Sequence, residues 1–194
     1  MVNSPGLSDP WIDEGNAYHT RNAHAIRPDP DPVRQVLPWA PSCSRIVDVG
    51  CHNGWRSPFL SRTAPYLGLD VSDEAIRDAQ VRYPDRDFRV CRAQDFEYFS
   101  GDGVVLSYVL HWMPDPEAFL IPLLSKVSWV IVDEFAPDLP RDVPYIHRDD
   151  IVTKKRPWLS LVPYPPAGVF SYRYQGSPQG ESCMAAIWKG TQWA

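Results

Sequence analysis

RIVDVGCHNG, residues 45–54, runs through Ile46, Val47 and Val49 and stops on Gly50. A short run of β-branched apolar residues closed by a turn residue reads as a buried strand. Gly50 and Gly54 bracket Cys51-His52-Asn53, and a glycine lets the backbone of such a turn approach a ligand closely. WRSPFLSR, residues 55–62, follows as a short helix with Pro58 in its first turn, where the missing N–H costs nothing. Strand, glycine turn and helix in succession make the start of a βα unit.

Outward from this unit the alternation continues. Tyr66-Leu67-Gly68-Leu69-Asp70 is a second apolar run ending on an acid, and Ser72 caps a helix that reaches about Tyr83 before Pro84. Further strands are expected at Phe88–Cys91, Gly103–Ser107 and Val127–Val132. Asp115-Pro116 opens a helix whose apolar side carries Phe119, Leu120, Leu123 and Leu124. Strands alternating with helices imply right-handed crossovers and a parallel sheet covered on both faces. Val169–Tyr174 and Ser182–Trp188 are joined by GSPQGE, too short for a helix, and should form an antiparallel hairpin on one edge. The expected fold is α/β: a Rossmann-like, doubly wound, mostly parallel sheet with a C-terminal antiparallel β-hairpin. One domain spans 1–194, with an N-terminal lid and helix (1–40), a cofactor-binding core (45–135) and an acceptor-side segment with the hairpin (136–194). The proline clusters at Pro28–Pro32, Pro38–Pro41 and Pro157–Pro166 are expected as rigid connections rather than element interiors.

In such a sheet ligands bind beyond the carboxyl ends of the strands, where the strand order reverses. Asp70 lies 22 residues after Asp48, at a strand end, where a carboxylate can accept from both hydroxyls of a ribose. A glycine turn and an acid at this spacing fit two cofactor classes, a nicotinamide dinucleotide or another nucleoside.

Asp48-Val49-Gly50-Cys51-His52-Asn53-Gly54 resembles the first motif, D/E-x-G-x-G-x-G, of class I S-adenosylmethionine methyltransferases, with His52 at the middle glycine. Leu69-Asp70-Val71-Ser72 is similar to that family's G-x-D-x-S, and Asp95 in Arg92-Ala93-Gln94-Asp95-Phe96 matches its adenine-binding acid. Leu106 to Asp115 (LSYVLHWMPD) resembles its fourth motif, V-L-H-H-x-x-D, for which a dehydrogenase has no use. The resemblance implies S-adenosylmethionine as cofactor. Its turn would be Asp48, Gly50, Cys51, His52 and Gly54, its ribose contacts Asp70 and Val71, and its adenine contacts Gln94, Asp95 and Phe96, with Ser107 after the fourth strand. Candidate bases or orienting groups are His111, Glu134 and His147.

Outside the sheet, Trp11, Gly15, Tyr18, Arg21 and Asn22 look like the opening of a methylase family associated with pseudaminic acid biosynthesis, and residues 132–158 loosely resemble a later segment of it. That likeness implies a lid. Tyr18 would border the sulfonium, and Arg21, on the same helical face, would pair with the methionine carboxylate.

Composition sets the remaining bounds. Of 194 residues 44% are hydrophobic and 22% charged, which indicates a folded chain rather than a disordered one. A net charge of −5 gives no basic surface for displacing counterions, so a nucleic-acid partner is not expected. Lys154-Lys155-Arg156 reads as a solvated helix end. Cys43, Cys51, Cys91 and Cys183 show no metal spacing and fit a reduced cytoplasmic protein, and neither a metal nor a membrane span is expected. Trp55, Trp112, Trp158 and Tyr164 fall near strand ends and could line an apolar acceptor pocket.

The function expected is methyl transfer from S-adenosylmethionine to O or N of a small molecule. Methylation of tRNA, DNA or a peptide is one alternative, and a non-catalytic, cofactor-binding partner subunit is the other. Oligomeric state is left open.

Overall fold

The computed structural model describes residues 10–22, 31–135, 143–148, 151–155, 162–163, 165–173 and 182–190. Seven strands form the main sheet: β1 (Arg45–Val49), β2 (Tyr66–Asp70), β3 (Asp87–Val90), β4 (Asp102–Ser107), β5 (Trp129–Phe135), β8 (Gly168–Arg173) and β9 (Ser182–Lys189). β6 (Val143–Arg148) and β7 (Ile151–Lys155) make a separate antiparallel pair. The helices are α1 (Pro10–Asn22), α2 (Pro32–Val36), α3 (Ser57–Leu60), α4 (Asp73–Arg82) and α5 (Pro116–Lys126). The strand order is β3-β2-β1-β4-β5-β9-β8. β1 to β5 run parallel, while β9 pairs antiparallel with β5 and β8 antiparallel with β9. The expected α/β fold with its C-terminal hairpin is therefore the observed one. The order reverses between β1 and β4, which is where a ligand crevice must open.

Strand alternation sends successive side chains to opposite faces, and both faces are covered. Val47, Val49, Val104, Leu106, Val130 and Val132 pack with Leu120, Leu123 and Leu124 of α5. Ile46, Val105 and Ile131 pack on the other face with Val33 and Val36 of α2, Leu60 of α3 and Ile76 and Ala79 of α4. Both layers are buried, each large aliphatic side chain contributing about 1.5–3 kcal/mol. Local chemistry sets the helix starts. Ser72 accepts from Ala75 N at 3.0 Å, Asp115 from Ala118 N at 3.0 Å, and Asp31 from Arg34 N at 3.0 Å.

Three local expectations are corrected. Lys154 and Lys155 lie on β7, not at a helix end, because Ile151-Val152-Thr153 before them is a β-branched run that pairs with β6. Pro32 opens α2, where its fixed φ suits the first turn below the Asp31 cap. Pro38 sits in a 3₁₀ turn over 37–39. Among the described residues no helix is long and apolar enough to cross a membrane.

Candidate functional site

The carboxyl ends of β1, β2, β3 and β4 open into one cavity of about 450 Å³, within the usual size of small-molecule sites. Its walls are the turn after β1, Asp70 and Val71, residues 91–95, residues 107–109 and residues 112–114. α1 closes it with Gly15, Tyr18 and Asn22.

The turn is drawn tight by two backbone bonds, from Gly50 N and Cys51 N to Leu69 O at 2.8 and 3.0 Å. Gly50 has φ +72°, and a Cβ there would stand 2.5 Å from Val109 Cγ2 and 3.1 Å from Ser107 O. Only glycine fits. His52 occupies the middle position at φ +51°, a left-handed conformation that histidine tolerates better than branched residues do. Its N–H donates to Asp70 Oδ2 at 2.9 Å, and Ser72 N–H donates to Asp70 Oδ1 at 2.9 Å. Asp70 thus ties the turn to the start of α4 while facing the cavity. Burial pushes its carboxyl above the usual range, opposed by these two N–H donors and by His19.

α1 is seated by matched polar groups. Asn16 Oδ1 accepts from Ser72 Oγ at 2.7 Å, and Asn16 Nδ2 donates to Asp73 Oδ1 at 2.7 Å. His52 Nε2 lies 2.9 Å from His19 Nδ1, and His19 Nε2 lies 3.2 Å from Asp78 Oδ2. A Cβ on Gly15 would come within 2.8 Å of Val71 Cγ2, so α1 lies directly against the Val71 side chain. Tyr18 meets Trp112 edge-on at 5.6 Å and His52 at 6.3 Å.

The residues expected from the sequence separate into two groups. Gly50, His52, Asp70, Val71, Gln94, Asp95, Ser107 and Tyr18 line the cavity, as do Trp55 and Trp112. Arg21 does not. It is half exposed, and its Nη2 reaches back to Glu14 Oε1 at 2.6 Å, a carboxylate with no exposed surface. Phe96 also turns away, packing edge-on against Tyr98 at 5.0 Å. Cys51 is buried beneath the turn, and Gly54 (φ +72°) faces Phe88. Asp48 accepts from Tyr66 OH at 3.0 Å under the sheet end, where burial lifts its carboxyl to about 6 against the pull of Arg56. His111 and Glu134 come together, with Nδ1 2.9 and 3.0 Å from the two carboxylate oxygens, both residues buried and neither among the residues that line the cavity. His147 stands on β6, and its side chain lies outside the described residues, as do Trp158 and Tyr164.

Two features had no sequence signal. Arg56 lines the cavity, stacks over Trp55 at 4.3 Å, and is held by Asp31 at 3.1 Å and Asp133 at 2.8 Å. Burial raises Asp133 to about 6, with Arg56 opposing. Tyr108, also on the cavity wall, has φ +53° and lies 2.5 Å from Tyr172 OH, which donates to Asp133 Oδ1 at 2.6 Å.

Residues 47–123, from β1 into α5, match the model of a methyltransferase domain. Comparison with curated protein sequences finds no match. Among solved structures, the chain is similar to the N-methyltransferase NodS from Bradyrhizobium japonicum WM9 in complex with S-adenosyl-L-homocysteine (15% identity, TM-score 0.69, 92% of this chain and 100% of that one). It is similar to magnesium protoporphyrin IX methyltransferase from Synechocystis PCC 6803 with bound SAM (14% identity, TM-score 0.55, 91% and 76%). It also resembles the [4+2]-cyclase SpnF (12% identity, TM-score 0.62, 81% and 78%). The chain has the class I S-adenosylmethionine-dependent methyltransferase fold.

Proposed function

We propose that this protein is an S-adenosylmethionine-dependent methyltransferase acting on O or N of a small molecule. The observation that carries this reading is Asp70. Its carboxylate stands at the end of β2 in the cavity wall, oriented by two backbone N–H groups, beside Gly50, where a Cβ would meet Val109 and Ser107. The donor set fits the nucleoside: Asp70 takes the ribose hydroxyls, Gln94 and Asp95 the adenine edge, and the Gly50 turn and Tyr18 border the amino-acid tail. The cofactor supplies an electrophilic methyl group on a positively charged sulfur. The chain's contribution is to hold the acceptor in line with that carbon, where orientation alone lowers the barrier by several kcal/mol. The buried His111–Glu134 pair fixes the 110–112 turn that carries Trp112 into the wall.

The methyltransferase domain match and the solved neighbours that hold S-adenosylmethionine or its demethylated product support this reading. A cyclase on the same fold shows that the fold itself does not fix the chemistry. The test is calorimetry with S-adenosylhomocysteine, followed by incubation with methyl-labelled S-adenosylmethionine and a cell extract. Saturable binding and a labelled small compound are expected. Label in a polymer would replace the acceptor class, and the absence of any heat of binding would end the reading.

Gly15→Val tests the role of α1. The added branches collide with Val71 Cγ2 and lift the helix off α4. S-Adenosylhomocysteine should bind at least about 10-fold more weakly, since that corresponds to only ~1.4 kcal/mol. The melting temperature of the unliganded protein should change little, because the sheet core does not include α1. Equal affinity in the two proteins would remove α1 from the site.

A further inference from the structure

Two histidine rings join α1 to the cavity wall. His52 Nε2 lies 2.9 Å from His19 Nδ1, and the other nitrogen of His19, Nε2, lies 3.2 Å from Asp78 Oδ2 on α4. A contact of this length between two ring nitrogens holds one hydrogen, one nitrogen donating and the other accepting. Two proton counts satisfy it. With both rings neutral, His19 donates from Nε2 to Asp78 and accepts at Nδ1 from His52. With one proton added to His19, its Nδ1 donates to His52 while its Nε2 still donates to the carboxylate. A second added proton breaks the pattern, because both facing nitrogens then carry hydrogen and two positive rings meet across 2.9 Å. The closed arrangement therefore admits at most one positive charge on the pair.

The two rings belong to opposite sides of the site. His52 sits in the turn after β1 with its N–H on Asp70 Oδ2, and it lines the cavity. His19 is buried on α1, the helix that closes the cavity with Gly15, Tyr18 and Asn22. The charged and titratable groups around the pair are Asp73, Glu74, Arg77 and Asp78 on α4, Asp70 at the end of β2, Glu14 and Arg21 on α1, and the Cys51 thiol, which burial pushes up. The cations among them, Arg21 and Arg77, each lie on a carboxylate of their own helix. What limits a second proton is thus the facing of the two nitrogens.

We propose that His19 and His52 form a one-proton latch that holds α1 over the cofactor, so that cofactor affinity falls when a second proton enters the pair. This concerns the regulation of the cofactor site and rests on the methyltransferase reading. Both histidines are positioning residues: His19 acts through His52 and through the helix that carries it. With α1 lifted, each ring reaches water and takes a proton as an ordinary histidine does, near about pH 6.5. With α1 down, the pair holds one proton fewer at acidic pH. The open state therefore binds more protons than the closed one below about pH 6.5, and the balance moves toward open as pH falls. Closure on a ligand at acidic pH must expel that proton. His52 stands at a glycine of the motif D/E-x-G-x-G-x-G, and a glycine there would leave His19 without its partner.

The experiment is calorimetric titration of the full chain with S-adenosylhomocysteine at pH 7.5 and pH 5.5, with a further set at pH 6.0 in two buffers of different ionisation enthalpy. Wild type should bind about 10-fold more weakly at pH 5.5 than at pH 7.5, the effect of excluding one proton from a group of the histidine range. At pH 6.0 the buffer dependence of the heat should show release of roughly one proton per ligand bound. His19→Asn places an amide oxygen near the position of Nδ1, able to accept from His52 but unable to titrate. Its affinity should change less than about threefold between the two pH values, and the released proton should disappear. His52→Gly suits the left-handed backbone at that position, removes the partner ring, and should lose the same pH step. Asp70 cannot imitate this result, because removing His19 makes its ionised form less favoured and would enlarge the step. A wild-type affinity independent of pH overturns the latch, as does a pH step and proton count in either variant equal to those of wild type. In these cases binding at pH 7.5 leaves the methyltransferase reading standing, whereas no binding at any pH ends both.

Discussion

Asp70→Ala is expected to weaken S-adenosylhomocysteine binding by about 100- to 10,000-fold, measured by calorimetry at constant pH and salt. Two hydrogen bonds from ribose to an ionised acceptor are worth about 1.5–3 kcal/mol each, and their joint loss spans that range. A second loss adds to the first, because His52 N and Ser72 N lose the carboxylate that fixes the turn against α4. Asp70→Asn separates the two effects. An amide keeps one oxygen for a ribose hydroxyl or a backbone donor but turns an NH₂ group toward the other N–H. Its affinity should therefore fall nearly as far as that of Asp70→Ala. Wild-type affinity in Asp70→Ala would show that the nucleoside does not lie across β2.

The second large effect is on stability. Arg56→Met should destabilise the protein by about 3–5 kcal/mol, because it leaves Asp31 and Asp133 buried without their cation. For a chain of this length that lowers the melting temperature by roughly 10–15 °C. The pH dependence gives the diagnosis. Asp48 and Asp133 are raised to about 6 in the folded protein, against about 3.9 in an unfolded chain. The folded state therefore binds more protons than the unfolded state between those values. Stability contributed by the neutral acids is present below about pH 4 and is lost as pH rises through about 6. Removing the guanidinium raises both acids further and sharpens this trend. The gap in melting temperature between wild type and Arg56→Met should be largest at pH 8 and should narrow at pH 5. An equal gap at both would mean that lost packing over Trp55, not uncompensated charge, sets the cost.

Local signals made the parallel sheet legible. β1, β2, β4 and β5 are short, mostly apolar runs, β3 carries Phe88 between charged residues, and Ser72 and Asp115 cap the helices they announce in sequence. The first half of the site was legible for the same reason, since Gly50, His52, Asp70 and Asp95 follow strand ends at spacings the chain itself displays. β6 and β7 were not foreseen, because Pro144 and the basic residues of 154–156 mask an alternation only five or six residues long. Arg21 lies off the cavity lining and on Glu14, because helical spacing says which residues share a face but not that a buried Glu14 would hold one of them. The Asp133–Tyr172 bond joins residues 39 positions apart, on strands brought close only when β9 pairs with β5, and no local pattern encodes that.

One topological fact bears on biosynthesis. Because β9 inserts between β5 and β8, Tyr172 reaches Asp133 only after residues 182–189 have paired, and these follow every other strand of the sheet in the chain. The earlier strands must therefore stand on their own packing during translation.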